Sequence, residues 1–213
     1  MAPDNTWKSQ RRREKYYVKA KEDGFASRAA YKLKQVDEKF RFFKAHDKGW
    51  VLDLCCAPGS WIEYIVKAYP GMKVIGVDIL RVNIASPNVI ILRKNILDED
   101  FVDTIQAKAG LTAPFMSYVL SDCAPKFTGT REVDIFRQHE LAMRAVDLCK
   151  QLLVPGGSAM LKAFQGPNED RMEMEAALSR VFEEFAKTKP SASQKSSPEF
   201  YYLGFGKREN FTS

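Results

Sequence analysis

Three carboxylates stand where they could grip a polar ligand. Asp53 interrupts the apolar run Val51-Leu52-Asp53-Leu54, Asp78 ends the run KVIGVD at 73–78, and Asp122 follows Tyr118-Val119-Leu120-Ser121. Between the first two lies Ala57-Pro58-Gly59, small or turn-forming residues that let backbone come close to a ligand. Asp78 falls about 20 residues past that turn, the spacing at which an acid on the second strand of a nucleotide-binding βαβ unit meets ribose hydroxyls. Singly, each acid reads as a strand-end cap and Gly59 as an ordinary turn residue. The combination points to an adenosine-type cofactor. Asn95, just past the apolar run 89–92, joins the group because its side-chain amide both donates and accepts, as an adenine edge requires.

The elements that must position these residues are buried strands alternating with helices. The stretch 50–54 reads as the first strand, followed by a helix near Trp61 that Ser60 is expected to cap. Further strands are expected at 73–78, 89–92, 118–120 and 158–164, then a short one at 186–188 and a closing one at 200–205. Helices are expected at 98–108, at 133–152 with Pro155-Gly156-Gly157 as its stop, and at 169–185 with Met172, Leu178 and Phe182 inward. Ahead of all this, 26–40 shows helical periodicity through Ala30, Leu33, Val36 and Phe40, with Ser27 as its cap and Arg28 and Lys32 exposed on one face. Such alternation implies a largely parallel sheet, whose ligands sit at the carboxyl ends of the strands. Asp53, Asp78, Asn95, Asp122 and the residues after Leu161 then share one edge.

At 213 residues, with 45% apolar residues, the chain suits one well-buried domain. Its net charge of +6 and pI near 9.1 favour a polyanionic partner. The charge is concentrated: 7–21 carries Lys8, Arg11, Arg12, Arg13, Lys15, Lys19 and Lys21 around Tyr16-Tyr17, a pattern suited to phosphates and base stacking and also to a solvated helix. The loop 189–198 is basic and hydroxyl-rich, fit for phosphate contact or for a plain surface connection. Cys55, Cys56, Cys123 and Cys149 lack zinc-site spacing and read as small core residues in a reducing cytosol, with no disulfide and no metal expected. Nothing in the chain reads as a membrane span or a leader, so a soluble, cytoplasmic monomer is expected.

Six blocks in order resemble the FtsJ/RrmJ family of S-adenosylmethionine-dependent RNA ribose 2′-O-methyltransferases. They are SRAAYKL at 27–33, VLDLCCAPGSW at 51–61, GVD ending at Asp78, LSDCAP at 120–125, LKAFQG at 161–166 and SPEFYYLGFG at 197–206. The resemblance covers nearly the whole chain from about Lys8, and the basic extension is most similar to that of archaeal members. It implies a Rossmann-like class I methyltransferase fold: a mostly parallel seven-stranded sheet with helices on both faces and an antiparallel last strand. The domain itself is expected at 25–213, with 1–24 as a basic extension.

The resemblance further implies a catalytic tetrad at Lys32, Asp122, Lys162 and Glu199, and a cofactor site for S-adenosylmethionine at Gly59, Trp61, Asp78, Asn95 and Asp122. Lys162 is then the acceptor of the target hydroxyl's proton, with Lys32 steering the ribose. The family's substrates are a uridine in the aminoacyl-tRNA-binding loop of large-subunit rRNA, the expectation here, or tRNA anticodon loops. Cys55-Cys56 and Ser60 depart from the usual small residue and Gly-Gly, Asn95 stands where an Asp is common, and Lys126 where many members have Asn. Two other classes share parts of the pattern. A nicotinamide-dependent oxidoreductase has the same βαβ unit but needs three glycines for its pyrophosphate, where this turn holds Gly59 alone. A non-catalytic RNA-binding protein accounts for the basic arm but leaves the tetrad without a purpose.

Overall fold

A computed structural model describes residues 15–44, 48–194 and 196–209. Arg11, Arg12, Arg13 and the rest of the arm before residue 15 lie outside the described residues, as does Lys195. Seven strands, β1 (Trp50–Leu54), β2 (Lys73–Asp78), β3 (Val89–Arg93), β4 (Met116–Ser121), β5 (Leu153–Phe164), β6 (Phe182–Thr188) and β7 (Glu199–Lys207), pair in the order β3-β2-β1-β4-β5-β7-β6. All pairings are parallel except those of β7, which runs antiparallel to both β5 and β6. This is the sheet that the alternating pattern and the resemblance both imply.

Burial on both faces explains why the central strands read as continuous apolar runs. Alternation along β1 sends Leu52 and Leu54 into one core and Val51 into the other. The first core is covered by α4 (Phe101–Ala109), α5 (Arg131–Leu152) and α6 (Asn168–Val181). The second lies under α1 (residues 15–22), α2 (Ala30–Phe40) and α3 (Ser60–Ala68). Gly76 is required in β2 because a Cβ there would stand 2.5 Å from Ile62 Cδ1 and 3.0 Å from Cys56 Sγ, so α3 packs directly on the strand. A buried carboxylate fastens α2 to α3: Asp37 accepts the hydroxyls of Tyr64 and Tyr69, each at 2.6 Å, and the N–H of Phe43 at 3.0 Å. Residues 15–24 pack on the rest of the fold, with Ala20 buried and the Tyr16 hydroxyl bonded to Gln35 and Ser191.

Several expected details shift. Helix α3 is preceded by Gly59 at φ 110°, a conformation glycine adopts without a Cβ penalty, and Ser60 is its first residue; the Ser60 hydroxyl instead meets that of Ser27 at 2.7 Å. Ser27 does not cap α2 either. It bonds the N–H of Ala29 in the turn before the helix begins at Ala30. Lys32 is not exposed, because α2 turns it toward the strand ends. Pro155-Gly156-Gly157 does not separate α5 from β5: Leu153 already pairs with Met116, and pairing resumes at Tyr118 opposite Ser158, so the three residues make an irregularity within the strand. Helix α6 ends at Val181, Phe182 opens β6, and Met174 rather than exposed Met172 faces inward. The cysteine reading is corrected as well. Cys55 and Cys123 form a disulfide with Cα atoms 4.9 Å apart, because they lie just past the ends of the neighbouring strands β1 and β4; Cys56 and Cys149 are buried free thiols.

Candidate active site

Lys162 of β5 pairs in register with Tyr201 of β7, and Phe164 with Glu199. Period-two alternation therefore puts Lys162, Tyr201 and Glu199 on one face of the sheet, the face that α2 covers. Asp122 follows the end of β4 beside them, and Lys32 reaches down from α2. The four expected tetrad residues meet. Lys162 Nζ lies 2.7 Å from Asp122 Oδ1, 2.9 Å from the Asp122 carbonyl oxygen and 3.8 Å from Glu199 Oε2. Lys32 Nζ lies 2.9 Å from Glu199 Oε1 and 3.4 Å from Asp122 Oδ2. Two cations and two anions thus alternate around a mostly buried ring, so the charges offset one another.

A fifth member was not among the expected residues. The Tyr201 hydroxyl donates to Asp122 Oδ1 at 2.6 Å, and Lys32 Nζ sits 5.6 Å from the centre of its ring. Burial, with Asp122 and Glu199 nearby, pushes the Tyr201 hydroxyl well above the usual tyrosine range, which keeps it a neutral donor. Burial alone would push Asp122 up, but Lys162 and Lys32, helped by hydrogen bonds from Lys162 and Tyr201, hold its carboxyl below the ordinary range. The signal for Tyr201 was in the sequence: it stands two residues from Glu199 in a strand, hence on the same face.

Next to the tetrad is a narrow recess of about 20 Å³, lined by Asp53, Ala57, Pro58, Ser60, Trp61 and Asp122. Asp53 is 1% exposed, and its Oδ2 has no hydrogen-bond partner. Burial, reinforced by the charges of Asp122 and Asp78, pushes its carboxyl well above the usual range. Trp61 is buried, and its indole N–H donates to the Ala29 carbonyl at 2.8 Å, so the ring forms wall rather than a polar contact. Asp78 accepts the N–H of Ala57 at 2.9 Å on one oxygen and that of Leu80 at 2.8 Å on the other. It therefore braces the turn that carries Gly59. Asn95 is exposed two residues past the end of β3, with Oδ1 accepting the N–H of Leu97 at 3.1 Å. Ile79, Leu80 and Leu97 are exposed apolar side chains beside Asp78 and Asn95, a feature that only the tertiary structure reveals. Among the described residues no cluster of His, Cys, Asp and Glu is placed to hold a metal ion, and no helix is long and apolar enough to cross a membrane.

Comparison with known proteins matches residues 25–207 to the FtsJ-like methyltransferase family. The ribosomal RNA large subunit methyltransferase E of Methanothermobacter thermautotrophicus is 35% identical over 93% of this chain and 92% of its own length. The protein of the same name from Nitratidesulfovibrio vulgaris is 35% identical over 94% of this chain and 96% of its own length. The crystal structure of a ribosomal RNA methyltransferase from Plasmodium falciparum superimposes with a TM-score of 0.73 at 27% identity, covering 86% of this chain and 98% of that one. A match running from Phe25 to Lys207 takes in every strand of the sheet, and the chain is a methyltransferase that belongs to the FtsJ-like family.

Proposed function

We propose that the chain transfers a methyl group from S-adenosylmethionine to a ribose 2′-hydroxyl of RNA, specifically a uridine in the aminoacyl-tRNA-binding loop of large-subunit rRNA. The observation that carries this reading is the closed ring of Lys32, Asp122, Lys162 and Glu199 at the strand ends, beside the acid-lined recess. S-adenosylmethionine supplies a methyl group on a positively charged sulfur, an already activated leaving group. The Asp78 carboxylate at the end of β2 favours a cationic ligand and opposes the pyrophosphate of a nicotinamide dinucleotide. The orphaned Oδ2 of Asp53 offers a ligand an unpartnered polar atom. Each Asp78 oxygen has one backbone donor and keeps a second lone pair for a ribose hydroxyl. Ile79, Leu80 and Leu97 offer apolar surface for an adenine ring, with Asn95 at its edge and Gly59 and Trp61 closing the other end.

A ribose hydroxyl is a weak nucleophile, so the protein's task is to take its proton and align it. Lys162 is assigned as the acceptor. To accept that proton Lys162 must first release the one its resting ammonium carries; the neutral amine then has two N–H bonds and one lone pair, and Nζ has two close acceptors, the Asp122 carbonyl at 2.9 Å and Oδ1 at 2.7 Å. With both N–H bonds so used, the lone pair is left for the substrate, near the longer contact to Glu199. Asp122 and Glu199 orient both lysines, and Lys32 steers the ribose and stabilises the developing alkoxide. The basic extension at 1–24 and the loop 187–195 supply affinity through phosphate contacts and take no part in the chemistry.

The test is transfer of labelled methyl from S-adenosylmethionine to large ribosomal subunits lacking modification, followed by mapping of the labelled nucleotide. A label on a ribose of the aminoacyl-tRNA-binding loop is expected. Label on tRNA anticodon loops would move the substrate assignment, and RNA binding without any transfer would leave a non-catalytic RNA-binding protein.

A further inference from the structure

Ala163, Phe200 and Tyr202 alternate with the tetrad positions and so face the other side of the sheet. There a cavity of about 420 Å³ opens between α5, α6 and the ends of β5 and β7, within the roughly 300–1,000 Å³ usual for small-molecule sites. We propose that this cavity seats an unstacked nucleobase of the RNA, from a nucleotide neighbouring the methylated one. This rests on the RNA methyltransferase reading above and adds to it a determinant of sequence or shape.

The cavity's apolar wall includes Ala142, Met174 and Phe200, against which a ring can lie. Its polar feature is Gln138, 1% exposed, whose Nε2 donates to the Lys162 carbonyl at 3.2 Å while its Oε1 is buried without a partner. A buried acceptor without a donor calls for one, and the amino and imino groups of bases are donors. Arg171, Lys187 and Lys189 line the same cavity against one acid, Asp170, a balance that favours a ligand attached to phosphates. Lys187 is ion-paired to Glu175, which leaves the local field positive but moderates it.

A path from the tetrad leads there. Phe127, 64% exposed, stacks on Phe164 with centroids 6.1 Å apart and planes 11° from parallel. Phe127 lies five residues after Asp122 and Phe164 two after Lys162, so both segments run from the tetrad to this ring pair, and Phe164 also lines the cavity. The loop bearing Phe127 is held by Asp134, which accepts the N–H and hydroxyl of Thr128 at 2.8 and 2.9 Å. An exposed, fixed aromatic face is the platform on which single-stranded bases stack in a sequence-tolerant way.

The experiment pairs a blocked cavity with RNA lacking one base. RNA hairpins spanning the methylated loop, each with a single abasic nucleotide at a flanking position, are compared with the intact hairpin in the wild type and in Ile135→Trp. Ile135 is a half-buried residue of the cavity wall, which the larger ring fills. Dissociation constants come from fluorescence anisotropy, and S-adenosylmethionine binding by calorimetry checks that the fold is intact. At one flanking position the abasic RNA should bind the wild type roughly ten- to hundredfold more weakly, the scale of one stacked base. Ile135→Trp should bind intact RNA as weakly and show no further loss with the abasic one. Phe127→Ala, at an exposed position that does not threaten folding, should also weaken binding of intact RNA. If no abasic position costs affinity, or the cost persists in Ile135→Trp, the cavity does not hold a base. Methyl transfer by the wild type is read separately, so its absence would overturn the catalytic reading while the binding comparison still decides the cavity.

Discussion

Replacing Tyr201 by phenylalanine isolates one hydrogen bond at the centre of the tetrad. The ring stays, and with it the contact to Trp61 at 6.1 Å and the position under Lys32. What is lost is the hydroxyl that donates to Asp122 Oδ1 at 2.6 Å, the oxygen that also holds Lys162 at 2.7 Å. A hydrogen bond to a charged group contributes about 1.5–3 kcal/mol. For a chain of this size each kcal/mol moves the melting temperature by roughly 2–4 °C, so a fall of about 3–12 °C is expected. The pH dependence follows from Asp122, whose folded-state carboxyl lies below its ordinary value. Its stabilisation is fully present above the unfolded value of about 3.9 and is lost as pH falls through the folded one. Removing a group that depresses this carboxyl therefore opens a gap that is widest near neutrality and narrows below about pH 4. Urea denaturation across that range measures the gap. Single-turnover methyl transfer should slow by roughly ten- to a hundredfold if the same energy orients Lys162 in the transition state. A variant as stable as wild type at pH 7, or a deficit unchanged at pH 3, would refute this account of the tetrad.

Lys162→Ala should bind cofactor and RNA nearly as wild type yet lose transfer by a factor on the order of 10² or more, and Lys162→Arg should not rescue it, since a guanidinium cannot take a proton; wild-type single-turnover rates in the arginine variant would sink the assignment. Asp78→Ala should weaken S-adenosylmethionine binding by roughly ten- to a hundredfold in calorimetry, and unchanged affinity in a folded variant would remove Asp78 from the cofactor site. Asp53, whose folded carboxyl lies above its usual value, contributes stability below about pH 3.9 that is lost as pH rises toward the folded value. Asp53→Asn should therefore gain on wild type as pH is raised from 4 to 7, and a difference flat with pH would contradict the burial argument. The Cys55–Cys123 bond closes a separation of 68 residues, for which chain entropy alone gives about 4 kcal/mol, so Cys55→Ala/Cys123→Ala should unfold at lower urea than wild type and match it once reductant is added. Wild type indifferent to reductant would count against the bridge.

The sheet was legible because its evidence is periodic. Apolar runs of four to six residues separated by helical stretches specify parallel strands whatever the register, and five of the six family blocks fall on or at the ends of strands, the sixth opening α2. The misplaced details depend on phase and pairing. In α6, Met172 and Met174 are both apolar, and only the spacing of Met174, Leu178 and Val181 tells which one shares a face with the buried positions. Pro155-Gly156-Gly157 resembles a helix stop, yet backbone pairing of Leu153 with Met116 captures the chain for the sheet before the stop is reached. The disulfide was hidden by distance along the chain: Cys55 and Cys123 become neighbours only once β1 is set beside β4, and spacing alone does not say so.

Lys162, Glu199 and Tyr201 lie on one face because strands alternate and β5 pairs antiparallel to β7, so any two of them imply the third once the register is known. The same alternation assigns Ala163, Phe200 and Tyr202 to the opposite face, where they open onto the cavity instead of the tetrad. One strand pair thus serves two sides of the sheet, and Gln138 joins them physically, donating to the carbonyl of Lys162 from the cavity side. A ligand that engaged the Gln138 amide would bear on the backbone that positions Lys162. Base recognition on one face and proton removal on the other would then be coupled through a single peptide group.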